Sequence, residues 1–220
     1  MNDARELLSR FDTTTLQMEI EGESYALVHP RDADALIDEA AFNRDERLPY
    51  WADIWPASIA LARAVRALDG TKQSLLELGC GIGLVASAAL RAGFDVTVSD
   101  YYDDALAFAR LNGKANAGRE PHTLVLDWRQ LPNHIPAFDF VVASDVLYER
   151  LLGPVVARTI ATTLSRTGRA LIADPGRVGS PEFFGALHDV GLKHVGASVV
   201  TVSLRGRDQA VTVHEVVRQR

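Results

Sequence analysis

The sequence predicts an α/β fold: a Rossmann-like, seven-stranded, mostly parallel sheet with helices on both faces and a C-terminal antiparallel β-hairpin. Three observations carry that expectation. In Leu75-Leu76-Glu77-Leu78-Gly79-Cys80-Gly81-Ile82-Gly83-Leu84 an apolar run ends in an acid, glycine recurs at every second position, and a helical pattern begins. That is the grammar of a strand, a tight turn and a helix N-terminus. From residue 73 onward, strand and helix patterns alternate. The tail then breaks the alternation with two β-rich runs and no helix between them.

In chain order, residues 3–10 read as a short helix, and Thr13–Ile20 and residues 24–29 as a hairpin around Glu21-Gly22-Glu23. Residues 32–42 have helical character, with Asp32 as N-cap. Leu48 to Ser58 is aromatic and carries Pro49 and Pro56, which suits neither helix nor strand, and a helix follows over 57–68. Ser74–Leu78 is the first strand of the alternating region. Residues 95–99, 122–126, Phe138–Ser144 and 169–173 are the next four. The helices between and after them fall at 83–92, 103–116, 154–164 and 181–190. The last strands are 194–203 and 210–217, joined by Leu204-Arg205-Gly206-Arg207-Asp208-Gln209. Right-handed crossovers make the sheet open and parallel, with its ligand crevice at the carboxyl ends of the strands. A boundary near residue 48 divides an N-terminal extension (1–47) from the sheet domain (48–220).

Composition narrows the function classes. The chain has 220 residues, 47% hydrophobic, enough for one domain with a sizeable core. Its formal charge is −6, and residues 1–53 hold thirteen acids against five bases. A nucleic-acid binder needs the reverse, whereas an acidic segment suits a basic partner or simply a solvated surface. One cysteine, no export signal and no apolar run long enough to span a bilayer point to a reducing cytoplasm. The six histidines are scattered without ligand spacing, so no metal site is expected.

The informative positions follow the strands. Gly79, Gly81 and Gly83 let backbone approach a ligand, and the helix after them offers unpaired N–H donors. A dinucleotide fingerprint would place a glycine at position 84, which is leucine here. Asp100 ends the second strand, where a carboxylate accepts ribose hydroxyls or caps the next helix. Tyr101 stands beside it. Asp127 and Trp128 follow the third strand, suited to an adenine amino group and to stacking on a base, or to a plain turn with a half-buried ring. After the fourth strand come Ser144, Asp145, Tyr148 and Glu149, an acid, a phenol and a second acid close to a reacting group. Trp51 and Trp55 precede the sheet, and aromatic faces stabilise cations by roughly 0.5–2 kcal/mol. Asp174-Pro175-Gly176-Arg177 forms a turn after the fifth strand.

Together these pieces resemble the class I, seven-β-strand S-adenosylmethionine-dependent methyltransferases. Glu77 to Gly83 looks like their first motif, Asp100 like their ribose-binding acid and the terminal hairpin like their last two strands. The segment Pro49-Tyr50-Trp51-Ala52-Asp53-Ile54-Trp55-Pro56, Leu111-Asn112 with Asn116, Asp145-Val146-Leu147-Tyr148 and Asp174 to Arg177 is similar to the protein-lysine methyltransferase group. Within that group the Trp55-Pro56 stretch and Asp174 to Arg177 look most like the electron-transfer-flavoprotein β-subunit lysine methyltransferases. Leu126-Asp127-Trp128 looks more like the wider group. The Asn-Pro-Pro-Tyr signature of adenine and glutamine N-methyltransferases is absent.

The resemblance implies S-adenosyl-L-methionine as cofactor, held by Trp55, Glu77, Gly79, Gly81, Gly83, Asp100, Tyr101, Asp127, Trp128 and Ser144. It implies Asp145 and Tyr148 as catalytic residues, and a protein lysine, of an electron-transfer-flavoprotein-like protein for example, as acceptor. No nucleic-acid or membrane partner is expected. Three other readings stay open: a small-molecule acceptor, a non-catalytic cofactor-binding module, and a nicotinamide dehydrogenase. Leu84 and the helix-free tail disfavour the last.

Overall fold

Side chains alternate across a strand, and the run Ser74–Leu78 (β3) shows why this chain needs two helical layers. Leu75 joins one buried cluster, while Leu76 and Leu78 join another on the opposite face. The computed structural model describes residues 2–37 and 48–219. It contains α1 (Asn2–Arg10), β1 (Thr13–Ile20), β2 (Glu23–Pro30), α2 (Pro56–Arg66), β3, α3 (Leu84–Arg91), β4 (Asp95–Asp100) and α4 (Asp103–Ala117). Beyond these lie β5 (His122–Val125), β6 (Phe138–Ser144), α5 (Leu152–Thr163), β7 (Leu164–Asp174), α6 (Ser180–Ala186), β8 (Leu192–Leu204) and β9 (Arg207–Arg218).

Seven strands form one sheet in the order β5-β4-β3-β6-β7-β9-β8. The first five are parallel, and β9 runs antiparallel to both β7 and β8. From β3 the chain steps outward to β4 and β5, then returns to lay β6 on the other side. That reversal opens a crevice above the carboxyl end of β3. Helices α2, α3 and α4 cover one face, and α5 and α6 the other.

The expected elements are present with shifted ends. Residues 32–42 were expected to be helical. Asp32 instead accepts bonds from Asp34 N and Ala35 N at 3.0 and 3.4 Å and heads a 3₁₀ turn, Asp34–Leu36, with Ile37 already extended. The remainder of that expected helix, 38–42, lies outside the described residues. Tyr50–Ala52 is a second 3₁₀ turn within the aromatic segment. Pro56, with no N–H to donate, opens α2 at its first turn. The six-residue connection expected before β9 is a two-residue turn: Leu204 pairs with Arg207, and Arg205 and Gly206 have φ of 52° and 75°. The β1–β2 turn has the same form, with Glu21 and Gly22 at 51° and 77°. Two successive positive φ angles match the twist of paired strands.

The β1–β2 hairpin is a separate two-stranded sheet, tied to α4 by two asparagines. Asn112 Oδ1 accepts from Val28 N at 2.9 Å, and its Nδ2 donates to Val28 O and to Ile82 O, both at 2.8 Å. Asn116 treats Ala26 alike, with 2.9 Å to both N and O. The match is geometric. Four helical residues rise about 6 Å, close to the advance of two strand residues. Each amide therefore meets one outward-facing peptide of β2 and satisfies the edge. Glu23 adds an ion pair to Arg66 at 2.5 Å and a longer one to Arg91 at 3.4 Å. The bond from Arg66 holds its carboxyl down at about 2. Part of the acidic N-terminal segment thus answers the chain's own arginines, Asp12 meeting Arg31 and Asp53 meeting Arg205 as well.

Candidate active site

A cavity of about 500 Å³ occupies the crevice. Ten of the twelve expected site residues line it: Trp55, Gly79, Gly81, Asp100, Tyr101, Asp127, Trp128, Ser144, Asp145 and Tyr148. Glu77 and Gly83 do not, and their surroundings explain why.

All three glycines of the turn have positive φ, 68° at Gly79, 51° at Gly81 and 85° at Gly83. Only glycine takes that region without strain. A Cβ on each would meet something different. At Gly83 it would stand 2.6 Å from Ala109 Cα, so this glycine lets α3 and α4 approach. At Gly81 it would meet the carbonyl oxygen of Trp51 at 3.1 Å, and at Gly79 the Trp128 ring and Val146 at 3.3 Å. Gly79 and Gly81 line the cavity and let the Trp128 ring and the Trp51 backbone close on the turn, and Gly83 is a packing residue rather than a lining one. Cys80 is buried in the same turn, and burial pushes its thiol well above its usual value.

Glu77 shares the Leu75 face of β3, beneath α3. It is 1% exposed, and its Oε2 has no hydrogen-bond partner among the described residues. Burial, and then the charge of Asp100, push its carboxyl well above the usual range, against a backbone bond from Ala86. The sequence placed this acid with the lining residues, but strand alternation turns it into the α3 layer.

Asp100 is the carboxylate that does face the cavity. Its Oδ2 accepts from Gly81 N at 3.1 Å and its Oδ1 from Tyr102 N at 3.2 Å. These bonds tie the glycine turn to the end of β4. Burial raises its carboxyl to about 6, opposed by backbone bonds from Tyr102, Gly81 and Tyr101. Asp127 Oδ1 accepts from Arg129 N at 2.9 Å and shapes the turn after β5. The Trp128 ring packs close to Gly79, and its indole Nε1 is buried with no partner among the described residues.

At the mouth, Asp145 follows β6 with φ of 59°, a left-handed conformation that Asp adopts more readily than most residues. Its N–H donates to Ala173 O at 3.0 Å. The carboxylate is 6% exposed and is gripped by Arg177, Nε to Oδ1 at 2.5 Å and Nη2 to Oδ2 at 3.1 Å. The guanidinium also stands 5.6 Å from the Trp55 ring centre. Trp55 in turn donates through Nε1 to Tyr50 O at 3.0 Å. Tyr50 and Tyr148 rings meet at 5.3 Å and are 43% and 38% exposed, forming an aromatic rim. The Tyr148 hydroxyl is pushed up to about 12, first by burial and then by the negative charge of Glu149, so it is a neutral donor near pH 7.

Two groups escaped the list of expected site residues. The sequence marks Arg177 through its turn and through the resemblance that turn carries, and no local signal ties it to a residue 32 positions earlier. Tyr50 was quoted only within the Trp55-Pro56 segment. Trp51 lines the cavity but mainly anchors that segment, packing on Phe108 at 5.7 Å and Phe11 at 6.1 Å.

A family profile described as lysine methyltransferase matches residues 42–189, more than half of the chain. Among curated proteins, the chain is 32% identical over 135 residues to the electron transfer flavoprotein beta subunit lysine methyltransferase of Danio rerio, covering 59% of this chain and 51% of that protein. It is 27% identical over 134 residues to the protein N-lysine methyltransferase METTL21A of Xenopus tropicalis, covering 58% and 62%. It thus spans only about half to three-fifths of the length of these curated relatives. Among solved structures, magnesium protoporphyrin IX methyltransferase from Synechocystis PCC 6803 with bound SAM aligns with a TM-score of 0.60 at 20% identity, over 85% of this chain and 95% of that one. Ribosomal protein L11 methylase from Lactobacillus delbrueckii subsp. bulgaricus gives 0.55 at 18% identity, over 74% and 79%. Likenesses at this identity are likenesses of fold.

Proposed function

The chain belongs to the lysine methyltransferase family, and on that premise we propose that it transfers a methyl group from S-adenosylmethionine to the ε-amine of a protein lysine. One observation carries the reading. A single cavity joins the glycine turn and Asp100 at its inner end to Asp145, Tyr148 and an aromatic rim at its mouth. That is the arrangement needed to hold a nucleoside deep and admit a long side chain from outside. No helix among the described residues is long and apolar enough to cross a membrane.

The residues fit the cofactor. Gly79 and Gly81 leave room for it where a Cβ would crowd the turn. Asp100 would accept from a ribose diol, and Trp128 offers a ring face. Asp127 lines the same end and suits an adenine amino group, while Tyr101, Ser144 and Trp55 complete the walls. Bound there, S-adenosylmethionine supplies an electrophilic methyl carbon whose bonding pair leaves on sulfur as the thioether. The protein contributes mainly proximity and alignment. Asp145 accepts a hydrogen bond from the incoming amine and orients it. Tyr148 and Tyr50 pack on the lysine methylenes and narrow the mouth, and Trp55 faces the cationic groups.

Residues 48–220 form the catalytic unit of this reading, with 1–47 as its extension. The buried lone thiol and the absence of a basic surplus fit work on a protein in the cytoplasm rather than on nucleic acid. An electron-transfer-flavoprotein-like protein is the first acceptor to try. Isotope-labelled cofactor incubated with the enzyme and a cell lysate, followed by peptide mass analysis, tests the proposal. Label on lysine in a protein band is expected. Label confined to small molecules would move the acceptor class, and intact cofactor binding with no label anywhere would leave a binding module.

A further inference from the structure

Asp145 is the acid the acceptor amine must meet, yet in the structure it already carries a cation. Arg177 binds both of its oxygens, at 2.5 and 3.1 Å, from a turn that is itself firmly held. Asp174 Oδ1 accepts from Arg177 N and its Oδ2 from Gly176 N, both at 3.1 Å, and Ser180 Oγ donates to Asp174 Oδ2 at 2.5 Å. The register Ser144↔Ala173 sets these two strand ends side by side. Resting on the lysine reading above, we propose that Arg177 is a positioning residue: it cancels the charge of Asp145, so that the carboxylate orients the acceptor amine without holding it as an ammonium ion.

The reason lies in the nucleophile. Methyl transfer needs the amine lone pair, and a free lysine has a pKa of about 10.4. An unpaired carboxylate in a partly desolvated site stabilises the ammonium form and takes the lone pair further out of reach. A carboxylate in a two-pronged guanidinium pair has almost no net charge to offer. It still has lone pairs, since each oxygen accepts about two bonds and Arg177 uses one on each. The ammonium loses its proton to water at the open mouth. The neutral nitrogen then forms the new N–C bond as the C–S pair departs on sulfur, and the methylated ammonium product releases a second proton.

The other charged and titratable groups around this pair do not replace Arg177. Asp174 stands behind it, Tyr50 and Tyr148 face it from the rim, and Glu149 at the mouth is 3.6 Å from Arg129. Asp100 lies at the inner end. Removing Arg177 leaves an acidic surplus at the amine's position.

The test compares the parent enzyme with Arg177→Gln and Arg177→Lys, after confirming that each melts and binds cofactor like the parent. The first probe is n-butylammonium, a lysine side-chain surrogate, titrated by NMR at pH 7. Arg177→Gln should bind it at least about tenfold more tightly, because the carboxylate is bare. Arg177→Lys should stay within about twofold, because a cation remains. Affinity in Arg177→Gln equal to or weaker than the parent's overturns the proposal. The second readout is kinetics on the protein acceptor found by lysate labelling. In Arg177→Gln, KM should fall, kcat at pH 7 should drop about tenfold or more, and the rising limb of the kcat–pH profile should move up by about one unit. Arg177→Lys should keep the parental profile. A profile shifted in Arg177→Lys also overturns the proposal, and that variant decides alone should Arg177→Gln fail to fold. A protein that binds butylammonium as expected yet methylates nothing defeats the function reading, and of this inference only the cancelling of the Asp145 charge by Arg177 then stands.

Discussion

The inner end of the cavity and its mouth are built from different materials. Inside, the parts are backbone. The glycine turn at Gly81 and the start of α4 at Tyr102 are tied to the end of β4 through Asp100, under a layer of buried side chains. At the mouth the parts are side chains. Asp145 and Arg177 hold each other, Trp55 and Tyr50 are linked by one bond, and Tyr148 is 38% exposed. Backbone fixed by a sheet cannot rearrange, which suits a ligand that is always the same. Exposed rings rearrange at small cost, which suits an acceptor delivered on a partner's surface, while the Asp145–Arg177 pair gives them a fixed post.

Four experiments would break or sharpen that contrast. The largest effect is expected from Asp100→Ala at the inner end. Loss of two charge-assisted bonds should weaken S-adenosylmethionine about 100-fold or more in a calorimetric titration. Binding that survives would show that Asp100 serves only the turn. Gly83→Ala comes next. Its Cβ would be forced to 2.6 Å from Ala109 Cα at a φ of 85°, so thermal unfolding should show a loss of about 2–4 kcal/mol. A melting temperature equal to the parent's would mean that α3 and α4 can shift apart and that the inner end is not rigid.

Asp100→Asn probes the same end through pH. Burial raises this carboxyl from 3.8 to about 6. Between those values the folded chain keeps a proton that the unfolded chain has lost. The contribution of Asp100 to stability therefore falls as pH rises from about 4 to about 6 and is level above that. The asparagine variant should lack this fall and melt higher than the parent at pH 7.5, by about 1–3 kcal/mol, with the gain vanishing below about pH 4. An equal gain at both pH values would assign the effect to packing instead. The smallest change in cofactor affinity is expected from Asp145→Asn at the mouth. It should stay within about twofold of the parent while methyl transfer is lost. A large loss of cofactor binding there would erase the division between the two ends.

Much of this was legible because local chemistry decides it. The buried strands read as apolar runs, the glycine turn as alternate glycines after an acid, and the Glu21-Gly22 turn as a hairpin. The 3₁₀ turn at Asp34–Leu36 was not, because a side-chain bond from Asp34 N to Asp32 shapes it. Nor could the three glycines be told apart. Gly83 differs from Gly79 only in what lies opposite, the Ala109 backbone of another helix rather than the ring of Trp128. Glu77 read as a lining acid because it precedes the turn, whereas the pleat sends its side chain beneath α3.

By itself, then, the sequence determined the order of strands and helices, the crevice, and the acids that end each strand. These follow from periodicity and from residues whose backbone preferences are intrinsic. Only the tertiary structure decided what each acid meets. Asp145 and Arg177 are joined because β6 and β7 run parallel with Ser144 opposite Ala173, and Asn112 and Asn116 meet Val28 and Ala26 because four helix residues advance nearly as far as two strand residues. Pairings of that kind depend on register between distant segments, which no residue states alone.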